Sequence, residues 1–308
     1  MDYIYEQFME MGLGISPAMM STLPTYTGGS STLEFETFLP IQWIPITDNT
    51  GSIIGWDEGE ERDNPESYIE RADWMHHYLS RYAENVTLNT PQKLCVQDLG
   101  SQQEERIGLG FITYVESWNE PDRTWVSPEA EFTPQEYAAM ASADFDGHGN
   151  SFMGDDGNGS EYPLGVRNLS PTLRFVMGAP FALEYRGDGN IYNSENPLDR
   201  INVWTKWIQP MIDWFDENRG EGFFPFDVVN IHHYTVSNPS DLTNGKWQSP
   251  EKNGVRNMIE TEVVERMEAL GWRNADNNYR ELWISEFGYD TNQEDINCLL
   301  YTSPSPRD

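Results

Sequence analysis

With 308 residues, 38% of them hydrophobic and 23% charged, the chain has the composition of a globular protein long enough for one large domain or two ordinary ones. Its 51 acidic residues against 19 basic ones leave a formal net charge of -32, a field that repels nucleic acid, anionic membranes and sulfated polymers and suits a neutral partner. No apolar run approaches the roughly 18 residues of a membrane span, and two cysteines, Cys95 and Cys298, are too few for a disulfide framework.

In chain order, residues 2 to 11 read as the end of a helix and Ile15 to Met20 as a short strand, followed by a Pro, Thr and Gly loop that contains Trp43 and Trp56. Glu66 to Ala83 is a helix by the spacing of Ile69, Trp74, Tyr78 and Tyr82. Phe111 to Trp118 is a strand. Pro134 to about Ala143 is a helix with Thr133 as N-cap and Pro134 in its first turn. The Gly, Asp and Asn density of Asp144 to Glu161 predicts a long surface loop; Asp144, Asp146, Asp155 and Asp156 offer hard oxygens there, but the EF-hand spacing for calcium is absent.

Arg174 to Met177 is the next strand, Asn202 to Glu217 a Trp-rich amphipathic helix, Val228 to His232 a strand, Val255 to Leu270 a helix and Glu281 to Ser285 a strand. This alternation predicts an α/β fold of parallel βα units. The step from strand to strand is about 55 residues, so eight units need more than about 400, and only five strands are legible. The expectation is therefore an incomplete barrel spanning residues 1–297, whose unpaired strand edges predict that the 308-residue chain by itself folds poorly or is inactive even if its parent is an enzyme. The remainder, 298–308, departs from the acidic, aromatic text before it and reads as a non-native tail.

Two glutamates stand out. Glu120 lies in Trp118-Asn119-Glu120-Pro121 and Glu286 in Trp283-Ile284-Ser285-Glu286-Phe287-Gly288, each at the end of a strand. Carboxylates delivered by two strand ends are what glycosidic bond cleavage needs, one to protonate the leaving oxygen and one to attack the sugar carbon. Glu116, on the strand phase of Glu120, needs pairing if buried and is assigned a supporting role. On the strand before Glu286, His232 and Tyr234 share a face by period two.

In their order and placement the two motifs resemble the acid/base and nucleophile motifs of glycoside hydrolase clan A, the retaining (β/α)₈ TIM-barrel enzymes. Tyr137 to Met140 and Phe175 to Gly178 look nearest to family 39 and its uncharacterised bacterial relatives. The resemblance covers about residues 1 to 295 and implies that strands three to seven of the barrel are present. It implies Glu120 as general acid/base with a raised pKa, Pro121 ending its strand, Glu286 as nucleophile, and Asn119 bonded to the sugar 2-hydroxyl. His232 and Tyr234 resemble a His-x-Tyr of several clan families that approaches the nucleophile.

Trp43, Trp56, Trp125 and Trp247 are loop tryptophans suited to stacking on pyranose faces, of which Trp43, Trp125 and Trp247 are the candidate sugar contacts, whereas Trp204, Trp207 and Trp214, at helical spacing, belong to a core. The partner implied is a neutral carbohydrate, with no cofactor and no metal; the adjacent pair His76-His77 does not face one ion. Met1 to Glu10 lack the basic-then-apolar pattern of a secretory signal, while the resemblance implies an extracellular or periplasmic protein. A carbohydrate-binding remnant without catalysis is the alternative on the same scaffold. Oligomeric state is not encoded.

Overall fold

The computed structural model describes residues 2–19, 45–47, 53–56, 61–87, 106–122, 132–155, 160–180, 203–234, 258–273 and 280–288. It is an α/β structure in which four strands, β3 (Tyr114–Ser117), β6 (Arg174–Met177), β7 (Val228–Tyr234) and β8 (Glu281–Gly288), form one parallel sheet in that order. Neighbours in the sheet follow chain order with helical segments between them, as repeated βα units require. β3 and β6 pair with Val115 opposite Phe175 and Ser117 opposite Met177, which brings their C-terminal ends level. Val176 lies opposite Val228 across the next pair.

Before the sheet comes α1 (Asp2–Glu10). The strand expected at Ile15 to Met20 is reduced to isolated parallel bridges from Ile15 to Ile112 and from Ala18 to Glu116. Pro17, between them, has no N–H to donate and interrupts the ladder. β1 (Pro45–Thr47) and β2 (Ile53–Trp56) form a small antiparallel pair.

A single 3₁₀ turn, Pro65–Tyr68, is capped by the Asn64 side chain accepting from the Glu66 N–H and leads into α2 (Ile69–Tyr82). Its core face differs from the expected stripe. Ile69, Trp74 and Tyr78 are half-buried, while Arg71, Ala72, Met75, His76 and Leu79 are buried beside Tyr82. Apolar periodicity missed this face because its central member is an arginine, tolerated there by a buried carboxylate partner.

α3 (Pro134–Asn150) begins as expected, with a reciprocal capping box between Thr133 and Glu136. It outruns its expected end at Ala143, and the left-handed residues Gly147 (φ 62°), His148 (φ 50°) and Gly149 (φ 70°) then turn the chain. Gly147 is required by close approach as well, since a Cβ there meets the Phe152 carbonyl at 3.0 Å. The expected surface loop 144–161 is corrected accordingly: Asp144 is wholly buried in α3, and β4 (Met153–Asp155) pairs antiparallel with β5 (Glu161–Pro163). The short α4 (Val166–Leu169) precedes β6.

α5 (Gln209–Arg219) is entered through a wide π-type turn, Trp204–Ile208. Pro210 explains the widening, because it removes one helical N–H and its ring crowds the carbonyl four residues earlier. A second such turn, Met258–Val264, precedes α6 (Glu265–Ala269).

Two compact units share the chain. The first comprises Met1–Asn119, Phe132–Gly178 and Met211–Val228. At its centre Phe226 stacks on Phe175 (5.2 Å, 9°) and on Tyr137 (5.9 Å, 6°), and Phe145, Phe215, Phe223 and Phe224 extend this cluster edge-on or tilted. Full burial of such rings contributes about 1.5–3 kcal/mol each. The second unit comprises Glu120–Glu131, Ala179–Pro210 and Val229–Asp308. Trp204, Trp207 and Ile208 are buried in it, and Trp204 packs against Trp272 at 5.3 Å.

Candidate active site

The chain leaves β3 at Ser117, before the expected stop at Pro121. Trp118 (φ 82°) and Glu120 (φ 48°) both take the left-handed region. Non-glycine residues there cost on the order of 1–3 kcal/mol each and persist only where the surroundings over-determine them.

Those surroundings are built from buried polar groups. The Trp118 ring is buried, edge-on to Phe132 at 5.5 Å, with the Arg71 guanidinium 5.2 Å from its centre. Arg71 Nε donates to Asp144 Oδ2 at 3.0 Å and Nη2 to the Met19 carbonyl at 2.8 Å, and Ser117 Oγ donates to the same Asp144 oxygen at 3.1 Å. Burial pushes the Asp144 carboxyl upward in pKa against the pull of the Arg71 charge.

The Tyr137 hydroxyl donates to the Ser117 carbonyl at 2.7 Å and accepts from the Gly178 N–H at 2.6 Å, tying the ends of β3 and β6 together. Glycine is strongly favoured at position 178, because a Cβ there runs into the Ser117 carbonyl and comes within 2.9 Å of the Trp118 carbonyl, so that the backbone would have to shift.

Within the second unit, the Glu120 N–H donates to the Ala179 carbonyl at 3.0 Å, which anchors the residue just past the turn. His232 Nδ1 stands 3.0 Å from Glu120 Oε1 and 3.7 Å from Glu286 Oε2. Its Nε2 meets Ser285 Oγ at 3.1 Å, and the Ser285 N–H donates to Asn230 Oδ1 at 3.3 Å. One oxygen from each glutamate and one imidazole nitrogen lie within 4.8 Å of one another. At 3.0 Å the Nδ1 and carboxyl oxygen are hydrogen-bonded, with the direction set by the imidazole tautomer.

Exposure separates the three side chains: His232 is 1% exposed, Glu120 12% and Glu286 44%. The apolar neighbours of Glu286 in sequence do not bury it, since β8 is the last strand of the described sheet and Glu281 to Phe287 are exposed or half-buried. His232, expected beside Glu286, lies closer to Glu120. Tyr234 belongs to β7 by its backbone, but its side chain lies outside the description. Asn119 is half-buried between the two left-handed residues. Trp43, Trp125 and Trp247 lie outside the described residues, as do Cys95, Cys298 and the segment 298–308.

The aspartates offered for calcium are otherwise engaged where described. Asp144 pairs with Arg71, and Asp146 with Arg219 at 2.7 Å. Tyr162 instead absorbs the histidine pair, bonding His77 Nε2 at 2.7 Å and stacking on His76 at 4.9 Å. In the first unit the roles of Arg71, Asp144, Tyr137 and Gly178 around Trp118 and the end of β3 escaped the sequence, and in the second unit so did that of Ser285 beside His232. Only Ser285 carried a signal, its place directly before Glu286.

No family model matches the chain, and neither a curated protein nor a solved structure matches it.

Proposed function

We propose that the chain is the catalytic part of a retaining glycoside hydrolase that cleaves O-glycosidic bonds of a neutral poly- or oligosaccharide, on a (β/α)₈ barrel to which the four-stranded parallel sheet belongs. The observation that carries the proposal is the approach of a Glu120 and a Glu286 oxygen to within 4.8 Å, about His232. Retaining enzymes hold their two carboxyls about 5–5.5 Å apart, whereas inverting enzymes leave about 6.5–9.5 Å for a water.

Glu120, the less exposed of the two and hydrogen-bonded to His232, is the general acid that protonates the glycosidic oxygen as its bond to the sugar breaks. Glu286, open to solvent, is the nucleophile that forms the glycosyl ester. Glu120, then deprotonated, takes a proton from the water that hydrolyses the ester. Asn119 bonds the sugar 2-hydroxyl, Tyr234 orients Glu286, and Trp43, Trp125 and Trp247 stack on sugar faces. The net charge of -32 suits a neutral substrate over an anionic one.

The test is hydrolysis of a panel of neutral polysaccharides and aryl glycosides by the full chain, with product configuration read by NMR. Glu120→Gln and Glu286→Gln should each lower kcat by at least about 10²-fold, and the product should keep its anomeric configuration. Inverted product, or turnover surviving both substitutions, would falsify the assignment. Saccharide binding without turnover in the unsubstituted chain establishes the carbohydrate-binding remnant instead.

A further inference from the structure

The geometry points to a second occupant of this site: a divalent transition cation of the zinc or copper class, held by Glu120, His232 and Glu286 with one atom from each. Ligands about 2.0–2.2 Å from a tetrahedral ion stand about 3.3–3.6 Å from one another. The His232 Nδ1 separations of 3.0 Å to Glu120 Oε1 and 3.7 Å to Glu286 Oε2 bracket that range. The third separation is already within 4.8 Å, and Glu286, 44% exposed, has room to close the remainder.

The imidazole distinguishes this cluster from the many carboxylates of an acidic surface. His232 is 1% exposed, and Ser285 Oγ lies 3.1 Å from its Nε2, the outer contact that fixes which nitrogen a ligating histidine presents. Ser285 is itself set by its N–H bond to Asn230 on the neighbouring strand. One imidazole with two carboxylates favours Zn²⁺ and Cu²⁺ over Mg²⁺ and Ca²⁺, which select all-oxygen shells. Three protein ligands leave a coordination position open.

Binding of the ion is independent of the reaction assigned above. Its consequence rests on that reading: an ion that engages both carboxylates displaces the catalytic proton and blocks the nucleophile, so Zn²⁺ is an inhibitor.

The experiment is calorimetric titration of the full chain with Zn²⁺ in a large excess of Mg²⁺, which occupies carboxylate-only sites, with intense Co²⁺ d–d absorption as the signature of a four- or five-coordinate protein site. One Mg²⁺-resistant equivalent is expected. It should be lost in His232→Gln and in Glu286→Gln, the latter at an exposed position whose loss leaves folding intact. Ser285→Ala should weaken it about 10–100-fold. Zinc binding wholly displaced by Mg²⁺, or unchanged in Glu286→Gln, overturns the site. A Mg²⁺-resistant equivalent that leaves hydrolysis untouched sustains the metal site and removes the catalytic assignment of the two glutamates.

Discussion

Arg71 and Asp144 meet at 3.0 Å with both side chains entirely shielded from water, and the guanidinium of that pair lies over Trp118, two residues before Glu120. A buried ion pair adds little net stability, but losing one partner strands the other charge. Arg71→Met should therefore lower unfolding free energy by about 3–5 kcal/mol, while Arg71→Met with Asp144→Leu should recover most of that loss. Urea unfolding of the single and double variants measures the difference. Equal destabilisation in both would show that the pair's charge is not what matters.

Gly178 is the tightest point between the ends of β3 and β6. In Gly178→Ala the new methyl must displace the Ser117 and Trp118 carbonyls, at a cost of about 1–3 kcal/mol. Because Trp118 leads into Glu120, hydrolysis should fall through kcat with KM little changed. Thermal unfolding beside steady-state kinetics reads the two effects, and a variant with unaltered Tm would contradict the close approach.

Burial lowers the His76 pKa to about 4 from the ordinary 6.5. The unfolded chain takes up a proton as pH falls through 6.5, whereas the folded chain stays neutral until about 4. This histidine's contribution is thus complete above 6.5 and is lost progressively down to about 4, by roughly 3 kcal/mol in all. His76→Phe keeps a ring against Tyr162 and should flatten that part of the stability profile relative to the unsubstituted chain. Parallel profiles from pH 7 to 4 would refute the claim.

The Ser285 hydroxyl touches the proposed site through His232 Nε2. Removing its hydroxyl in Ser285→Ala forfeits one hydrogen bond worth about 1 kcal/mol, so kcat should fall about fivefold. Ser285→Thr, which keeps a hydroxyl, should recover most of it.

Capping and periodicity were local and therefore legible: the Thr133 N-cap, the strand Arg174–Met177 and the buried Trp204 and Trp207 stand where the sequence placed them. So does the parallel alternation of strands and helices, whereas Glu120 lies beyond the end of β3 and Glu286 within β8, which outruns its expected end at Ser285. Each of the features so placed depends on residues within a turn or two of one another.

Tertiary structure alone decided the rest. Arg71 on a core face and Asp144 inside a helix contradict one-dimensional pattern, because each is tolerable only when the other, far away in sequence, neutralises it. The left-handed backbone at Trp118 is likewise unreadable from a tryptophan, since the surrounding packing, not the residue's own preference, holds it there. Period two placed His232 on a face, but which carboxylate it meets was set by the pairing of strands from distant parts of the chain.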